Sequence, residues 1–493
     1  MLFSSITFLV FFLPITFTLY YVLPNRIWKN AILFIASLLF YAWGEPKFVF
    51  LMLASIVFNY IIGLRLENDS KWKKPLLAFA ILANIGVLFI FKYLGFTCKI
   101  IDLLLTSLKL QPLTALNLVM PIGISFYTFQ EISYLVDVYR NPELAQKNLL
   151  KLGLYITFFP QLIAGPIVRY HDINEQIESR KESIPQFANG LERFILGLSK
   201  KILIANSMAI VADKIYEAQI MSYGTYLAWI AAIAYTLQIY YDFSGYSDMA
   251  IGLAKMFGFE LLENFNYPYA ASSITDFWKR WHISLTNFFR DYVYIPLGGN
   301  RKGKARTILN RFIVFFTTGL WHGAAFNFVF WGLAHGTLMT AERSFVKNEQ
   351  ATKENHSFIN RFASTTLNIL HRAFTLLAVL MLWVLFRTGT KDSIKIALKM
   401  FGVNYKIFGE QSKTIILNPF LPMALDAKFF ILAAIGILFS FPWWRKIKFF
   451  YSKNDAISTI LMIVKYFLLG CLLLLCYANL ADNSYNPFIY FRF

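Results

Sequence analysis

The sequence predicts an all-α, polytopic membrane protein. Its residues are 57% hydrophobic and only 15% charged, and its mean hydropathy is +0.51. Soluble globular domains carry about 25% charged residues. Long apolar stretches recur along the chain, and a helix spans a bilayer with roughly 20 mostly apolar residues, or fewer where it is re-entrant or buried. We therefore predict about 11 to 13 transmembrane or re-entrant helices.

The apolar stretches place these helices along the chain. In order they cover residues 6–23, 31–42, 49–62, 76–90, 202–211, 226–240, 313–320, 374–385, 429–439 and 457–475. No soluble domain, repeat period or low-complexity tract separates them. The sequence therefore predicts one membrane domain over residues 1–493.

The chain carries a net charge of +19, which in a soluble protein would suggest nucleic acid as a partner. Here the basic residues lie in short loops between apolar stretches, the pattern of cytoplasmic loops in membrane proteins. No nucleic-acid-binding motif is present. The charge therefore predicts a protein embedded in a lipid bilayer, with no nucleic-acid partner.

The order of basic and apolar segments predicts the orientation. Arg26 and Lys29 follow the first apolar stretch and no basic segment precedes it, which predicts an extracytoplasmic N-terminus and no cleaved signal peptide. Lys200 and Lys201 predict that the apolar stretch after them starts at the cytoplasmic side. Residues 279–311 hold eight basic residues against one acid, the strongest prediction of a cytoplasmic loop. Basic residues also precede the last apolar stretch, so the C-terminus is predicted outside.

Two stretches in the first half of the chain interrupt the apolar pattern. Residues 121–140 carry Gln130, Glu131 and Asp137, and residues 158–170 contain two prolines and a glycine. Polar side chains in a membrane segment should face protein or a cavity. Proline and glycine at this depth predict a broken or re-entrant helix.

Three of the six histidines, His282, His322 and His335, fall between residues 276 and 336. An imidazole at membrane depth is costly to keep and suggests function. His322, in the motif GLWHG, is a candidate general base, because neutral imidazole can take a proton from a hydroxyl. The alternative is a hydrogen-bonded core histidine. His335 is expected to be structural, and the remaining three, His171, His356 and His371, to lie at the surface or interface.

His282 follows the motif FWKRW, in which Trp278 and Trp281 flank Lys279 and Arg280. The basic residues could bind phosphates. The alternative is an interfacial helix whose tryptophans lie at the level of the headgroups. The spacing of the histidines fits no zinc-binding pattern, so no metal site is predicted.

Phosphate-binding, dinucleotide-binding and serine-hydrolase motifs are also missing, and residues 297–300 predict a turn. The three cysteines are expected in the core.

The last eight residues, 486–493, form an aromatic tail that contains Tyr490. This tail could lie in an aromatic belt at the outer interface, or insert Tyr490 into a site.

Taken in order, several motifs resemble the membrane-bound O-acyltransferase family, and within it the bacterial branch that acetylates alginate or peptidoglycan. They are PIGISFYTFQEISYLVDVYR, FFPQLIAGPIVRY, YDFSGYSDMAIGLAKMFGFELLENFNYPY, FWKRWHISL with FFRDYVYIPLGGN, and LWHG. The resemblance implies a ring of tilted helices around a narrow tunnel. It implies that His322 and His282 are the family's two catalytic histidines, with Trp278, Trp321 and Asp276 as candidates for the tunnel wall.

The resemblance also implies a donor and an acceptor. Acetyl-CoA would be the acyl donor, as a substrate rather than a bound cofactor. Its phosphates would meet the basic residues of the cytoplasmic loop, which are Lys279, Arg280, Arg301, Lys302, Lys304 and Arg306. Tyr490 would be the acyl relay, activated by His322 because a phenol with a pKa of about 10 is mostly protonated at neutral pH.

From Tyr490 the acetyl group would pass to an extracytoplasmic partner of the SGNH, serine-esterase-like type, and then to a cell-envelope polysaccharide. The implied location is the bacterial cytoplasmic (inner) membrane, with both termini extracytoplasmic. Two alternatives stay open. One is D-alanyl transfer to teichoic acid from a carrier protein, and the other is a non-catalytic transporter of acyl donors.

Overall fold

The computed structural model describes residues 1–68, 71–111, 118–218, 220, 224–350, 358–403, 425–443, 455–482 and 485–489. Within these ranges every regular element is helical, which confirms the predicted all-α class. The predicted apolar stretches all fall on helices. The ring and the tunnel stay predictions.

The first half of the chain forms twelve helices in the described ranges. They are α1 (Leu13–Val22), α2 (Arg26–Ala42), α3 (Phe48–Glu67), α4 (Lys73–Leu88), α5 (Leu94–Ser107), α6 (Ile124–Arg140), α7 (Leu149–Thr157), α8 (Phe159–Leu162), α9 (Tyr170–Ser179), α10 (Ile184–Ser199), α11 (Asn206–Glu217) and α12 (Thr225–Met256).

Eight more follow in the described part of the second half. They are α13 (Ile274–Trp278), α14 (Ile283–Phe289), α15 (Gly303–His322), α16 (Phe326–Gln350), α17 (Phe358–Thr388), α18 (Thr390–Met400), α19 (Ala427–Phe439) and α20 (Asp455–Asp482). Widened π-helical turns occur at Phe8–Phe12, Phe89–Tyr93, Lys200–Ala205 and Arg290–Tyr294. Such turns are rare and are often found at functional sites.

Among the described residues, five helices are long and apolar enough to cross a membrane. They are Phe48–Glu67, Lys73–Ser107, Ile184–Glu217, Thr366–Thr388 and Thr459–Asp482, and the shorter apolar helices are Phe8–Val22 and Ala427–Phe439. Other predicted segments, such as α12, carry buried polar residues, which a helix can tolerate where it packs against protein. The chain is therefore a multi-pass membrane protein.

The chain divides into two compact units. The first contains Met1–Leu198 and Tyr246–Glu263, and the second contains Ser199–Gly245 and Asn264–Ile489. This division does not test whether residues 1–493 form one membrane domain, which stays a prediction.

In the first unit, helix α6 carries the predicted buried polar residues. Gln130 and Glu131 are each 1% exposed and Asp137 is 4% exposed. The hydroxyl of Ser55 donates to Glu131 Oε1 over 2.6 Å. These side chains face protein, as predicted, because a lone carboxylate in lipid would be very costly. The predicted break in the helix is also present, since α7 ends at Thr157 and the four-residue α8 follows.

In the second unit, helices α15 and α16 approach each other closely through glycines. A methyl group added at Gly332 on α16 would overlap the carbonyl oxygen of Phe315 on α15. One added at Gly319 on α15 would overlap the carbonyl oxygen of Phe328. Small residues let two helix backbones approach in this way. Because α15 ends at His322, this packing determines where that imidazole lies.

Candidate active site

In the second unit, His282 lies at the break between two short helices, α13 and α14. Ser273 caps α13 by accepting a hydrogen bond from the backbone N–H of Asp276 over 3.0 Å. The chain then turns at His282, whose φ of 45° is in the left-handed region, and α14 starts at the next residue. Such a conformation costs a non-glycine residue on the order of 1–3 kcal/mol and is common at functional sites. His282 is fully buried.

Asn264 holds the ring of His282 and determines its tautomer. The Asn264 Oδ1 atom lies 3.2 Å from the backbone nitrogen of Ser284 and 3.1 Å from His282 Nδ1. A backbone N–H can only donate, so the atom that it faces must be the amide oxygen. That oxygen can only accept, so the proton of the neutral ring is on Nδ1 and the lone pair is on Nε2. His282 is thus prepared to accept a proton or a hydrogen bond at Nε2.

His322 is the last residue of α15 and is 7% exposed. Its ring packs edge-on against Trp331 at 5.1 Å and Phe386 at 5.3 Å between ring centroids. The indole of Trp321 lies 4.9 Å from the ring of His322 and 5.8 Å from that of His282. The structure therefore places both predicted catalytic histidines next to one tryptophan, Trp321, which was itself a predicted site residue.

His335 has a structural environment, as its sequence context suggested. It is fully buried, and its Nδ1 accepts a hydrogen bond from the indole N–H of Trp278 over 3.2 Å. The ring of Phe277 stacks on it. Trp278 and Trp281 are 5% and 2% exposed. These tryptophans lie in a protein core, so the alternative of an interfacial tryptophan belt is wrong.

A cavity of about 200 Å³ borders Trp278 in the same unit. Most of its wall is apolar. Its polar lining residues are Thr286, Arg290, Tyr294, Arg311 and Thr318. Arg311 is 7% exposed and donates to the hydroxyl of Thr340 over 2.8 Å. The cavity therefore combines a mostly apolar wall with two cationic side chains, Arg290 and Arg311.

One face of α15 connects this cavity to His322. Arg311, Phe315 and Thr318 line the cavity, and His322 follows them at helical spacings of four, three and four residues. Residues with these spacings share a face of a helix. A helix rises about 1.5 Å per residue, so Thr318 precedes His322 by about 6 Å along the axis. The cavity and His322 therefore lie along the same face of α15.

None of the six predicted donor-binding residues lines this cavity. Lys279 and the cluster from Arg301 to Arg306 are exposed. The predicted turn at residues 297–300 is present, but α15 begins at Gly303, so Lys304 and Arg306 belong to the first turn of a helix rather than to a loop. Their exposure suits attraction of an anionic ligand from solution better than close binding.

Asp276 pairs with Arg280 over 2.9 Å, four residues along the chain. Burial opposes the ionisation of Asp276, but hydrogen bonds from Arg280 and Ser272 outweigh it and hold the pKa of the carboxyl below its usual value. The group that orients His282 is Asn264, not the nearby carboxylate. Among the described residues, no three His, Cys, Asp or Glu side chains cluster as metal ligands would.

Sequence reasoning missed Asn264, Arg290, Arg311 and Lys201. The spacing of Arg311 to His322 was visible in the sequence and could have identified the cavity face. Lys201 was predicted as a cytoplasmic flank, but it is 2% exposed within a π-helical turn and pairs with Asp242 over 2.7 Å. Nothing in the local sequence signals that partner. Tyr490 and His356 lie outside the described residues.

Several apolar helices, two buried imidazoles beside Trp321 and a cavity lined by the same face of α15 that carries His322 are features expected of an integral membrane enzyme. The profile of the MBOAT, membrane-bound O-acyltransferase family matches residues 140–386. The chain belongs to the membrane-bound O-acyltransferase family, and it is an acyltransferase.

Two named relatives align with more than four fifths of the chain, and a third aligns with about half of it. A probable alginate O-acetylase AlgI of Pseudomonas syringae pv. tomato is 41% identical over 413 residues, 83% of this chain and 76% of that protein. A peptidoglycan O-acetyltransferase of Helicobacter pylori is 35% identical over 438 residues, 82% of this chain and 80% of that protein. A teichoic acid D-alanyltransferase of Bacillus subtilis is 31% identical over 251 residues, 47% of this chain and 61% of that protein.

Replacing Asn264 should change the pH dependence of acyl transfer. Asn264→Asp puts a carboxylate against Nδ1 of His282 and favours the protonated ring, so activity that needs an unprotonated Nε2 should begin at higher pH. Asn264→Leu removes the acceptor and should slow transfer roughly 10- to 100-fold, the cost of a buried, unsatisfied donor.

The measurement is the pH–rate profile of acyl transfer by the purified protein. Asn266→Asp is the matched control, because it makes the same charge change two residues away. An Asn264→Asp profile that coincides with wild type would contradict the need for an unprotonated Nε2 on His282 in acyl transfer.

Proposed function

We propose that this protein takes an acetyl group from cytosolic acetyl-CoA, transfers it to Tyr490 of its own tail, and presents it outside the cell membrane. There an SGNH-type, serine-esterase-like partner takes it for O-acetylation of a cell-envelope polysaccharide. Alginate and peptidoglycan are the substrates that the names of its relatives indicate. The protein would lie in the bacterial inner membrane with both termini outside.

The observation that carries this proposal is the contact of the tail with the helix beside His282. The backbone N–H of Ile489 donates to Asp242 Oδ2 on α12 over 2.8 Å. The next residue of α12, Phe243, packs edge-on against the ring of His282 at 4.7 Å. Phe488 and Ile489 are 4% and 2% exposed, which is not the environment of an interfacial belt. Tyr490 directly follows this anchored segment in the chain.

The chemistry assigns one task to each group. His322 takes the phenolic proton of Tyr490 while the phenol oxygen attacks the thioester carbonyl. The bond between carbonyl carbon and sulfur breaks, and the leaving thiolate of CoA takes the proton back from the imidazole. His282 positions the thioester through its Nε2. The apolar surroundings strengthen whatever dipoles meet the developing oxyanion.

The cavity beside α15 suits the donor. At about 200 Å³ it is smaller than the 300–1,000 Å³ or so of typical ligand sites, so it would hold a slender pantetheine arm rather than a whole CoA. Arg290 and Arg311 would meet the polar part of the donor, and the thioester would lie towards His322. The exposed basic cluster from Arg301 to Arg306 would attract the phosphates from solution.

Neutralising the cavity arginines should weaken the binding of the donor. In Arg290→Gln/Arg311→Gln we expect the KM for acetyl-CoA to rise roughly 10- to 100-fold, because hydrogen bonds to charged groups are worth about 1.5–3 kcal/mol. Neutralising Arg301, Lys302, Lys304 and Arg306 together should instead lower the association rate and its dependence on salt. Arg372→Gln, on an exposed part of α17, is the control. An unchanged KM in the double variant would contradict this assignment.

D-alanyl transfer is the second candidate function. The teichoic acid D-alanyltransferase aligns with 47% of the chain, whereas the two O-acetylating relatives align with more than four fifths of it. Membership of an acyltransferase family argues against the non-catalytic transporter.

A comparison of donors tests the proposed function. The purified protein would be incubated with radiolabelled acetyl-CoA or with a carrier protein charged with radiolabelled D-alanine. We expect covalent label on the protein from acetyl-CoA alone. Label from the D-alanyl carrier alone would replace the proposal with its alternative.

A further inference from the structure

A buried ion pair lies where the C-terminal tail meets the second unit. Lys201, in the π-helical turn, and Asp242, on α12, are joined over 2.7 Å with side chains 3% and 1% exposed. Two charges buried this deeply are stable only where further hydrogen bonds compensate for their lost hydration. The ion pair therefore needs partners.

The backbone of the tail supplies these partners. Lys201 Nζ donates to the carbonyl oxygen of Pro487, and Asp242 Oδ2 accepts from the N–H of Ile489 over 2.8 Å. The ring of Phe488, the residue between them, lies 5.9 Å from Lys201 Nζ. The ammonium group of Lys201 thus donates to a backbone carbonyl, and the carboxylate of Asp242 accepts from a backbone N–H. We call Lys201 and Asp242 the tail clamp.

Two further contacts extend the docking to the start of the tail. The phenol of Tyr485 donates to Asp213 Oδ2, and Arg387 Nη2 is 2.9 Å from the other oxygen of that carboxylate. Asn206 Nδ2 donates to Asn486 Oδ1 over 3.2 Å. Side chains of the second unit therefore bind each residue from 485 to 487 as well as Ile489.

We propose that the tail clamp stays closed through the whole catalytic cycle, so that the acetyl group is handed on in place and not by a swinging tail. This inference rests on the proposed function. Opening the clamp would strip a buried ion pair of its compensating hydrogen bonds. Ile489, the residue that precedes Tyr490 in the chain, would then keep its hydrogen bond to Asp242 throughout the cycle.

A closed clamp defines what the partner must do. Its nucleophilic serine has to reach the docked Tyr490 ester. The serine oxygen then attacks the acetyl carbonyl, the bond to the tyrosine oxygen breaks, and the proton of the serine passes to the phenolate. The partner must therefore bring its active site to the membrane surface of this protein, rather than receive an extended tail.

Cross-linking the docked tail tests the proposal. Asn206→Cys/Asn486→Cys would be made in full-length protein whose three native cysteines are replaced, and joined with a short thiol reagent that a reductant cleaves. The same variant is compared before cross-linking, after it, and after cleavage. Two readouts are used: acetyl on Tyr490 by mass spectrometry, and O-acetylation of the polysaccharide in cells that carry the variant as their only copy. The two single-cysteine variants control for the reagent.

We expect both readouts to stay within about twofold after cross-linking. If Tyr490 is loaded but the polysaccharide is no longer acetylated until the link is cleaved, the tail must leave its site and the proposal is wrong. If Tyr490 is never loaded, even in wild type, the proposed relay fails instead, and the clamp is judged by amide exchange alone.

Hydrogen exchange measures the clamp directly. Lys201→Met/Asp242→Asn removes both charges together, which spares the fold the cost of one unpaired buried charge. In this variant the amide of Ile489 should exchange roughly 10- to 100-fold faster, as expected for the loss of a hydrogen bond to a charged group. Lys255→Met breaks an exposed ion pair elsewhere and is the control. Equal exchange in the double variant and wild type would show that Lys201 and Asp242 do not hold the tail.

Discussion

Replacing His322 with alanine should slow acetyl transfer by about 10²- to 10⁴-fold, the usual contribution of a general base. A phenol is mostly protonated at neutral pH, so without the imidazole Tyr490 would attack the thioester as a much poorer nucleophile. The measurement is the initial rate at which label from acetyl-CoA appears on the purified protein. The effect should fall on kcat rather than on the KM for acetyl-CoA, because the imidazole acts on the acceptor.

A loss of folding must be separated from this loss of chemistry. His322 packs against Trp331 and Phe386, so its removal leaves a gap in an aromatic cluster. Thermal unfolding of each variant therefore accompanies the rates. His371→Ala, at an exposed position on α17, provides the matched control for removal of an imidazole. A folded His322→Ala protein with near-normal rates would remove His322 from the mechanism.

Tyr490→Phe should abolish acetyl transfer to the outside while the protein still folds. The substitution deletes one oxygen, the atom that would carry the acetyl group, and keeps the ring. We expect both covalent label on the protein and O-acetylation of the cell-envelope polysaccharide to fall to background. Radiolabelled acetyl-CoA and chemical analysis of the polymer measure the two quantities.

The control for this variant is Tyr466→Phe on α20, which removes the phenol oxygen of a tyrosine that is 50% exposed. It should acetylate like wild type. Continued acetylation of polymer by Tyr490→Phe would show that the acyl group leaves by another route. In that case the docked tail would have a structural role alone.

The positions of individual helices were predictable because each depends mainly on the composition of its own stretch of sequence. Transfer of apolar surface out of water is a local property of each stretch, so the stretches at 49–62 and 457–475 predicted helices that the structure contains. Buried charges were less predictable. Lys201 looked like a cytoplasmic flank because its partner, Asp242, lies on another helix, and only the tertiary structure brings the two together.

Some residues of the candidate site could likewise be predicted from the sequence, and others could not. His322 and His282 could be chosen from residue chemistry and a family resemblance, and the structure places them around Trp321. Asn264 could not be chosen, because its role depends on a turn that brings an amide oxygen to a distant ring. The positive-inside pattern also cannot separate Arg311, which is 7% exposed, from the exposed Arg306. Both are basic residues of helix α15, and only packing makes one of them part of the cavity wall.

Mass spectrometry of Tyr490 is the most direct test of the central claim that this acyltransferase loads its own tail. Full-length protein would be incubated with acetyl-CoA, digested, and its C-terminal peptide sequenced by fragmentation, with His322→Ala treated in parallel. We predict an acetyl group on Tyr490 in wild type and none in His322→Ala. An unmodified Tyr490 in wild-type protein that is actively consuming acetyl-CoA would contradict the relay.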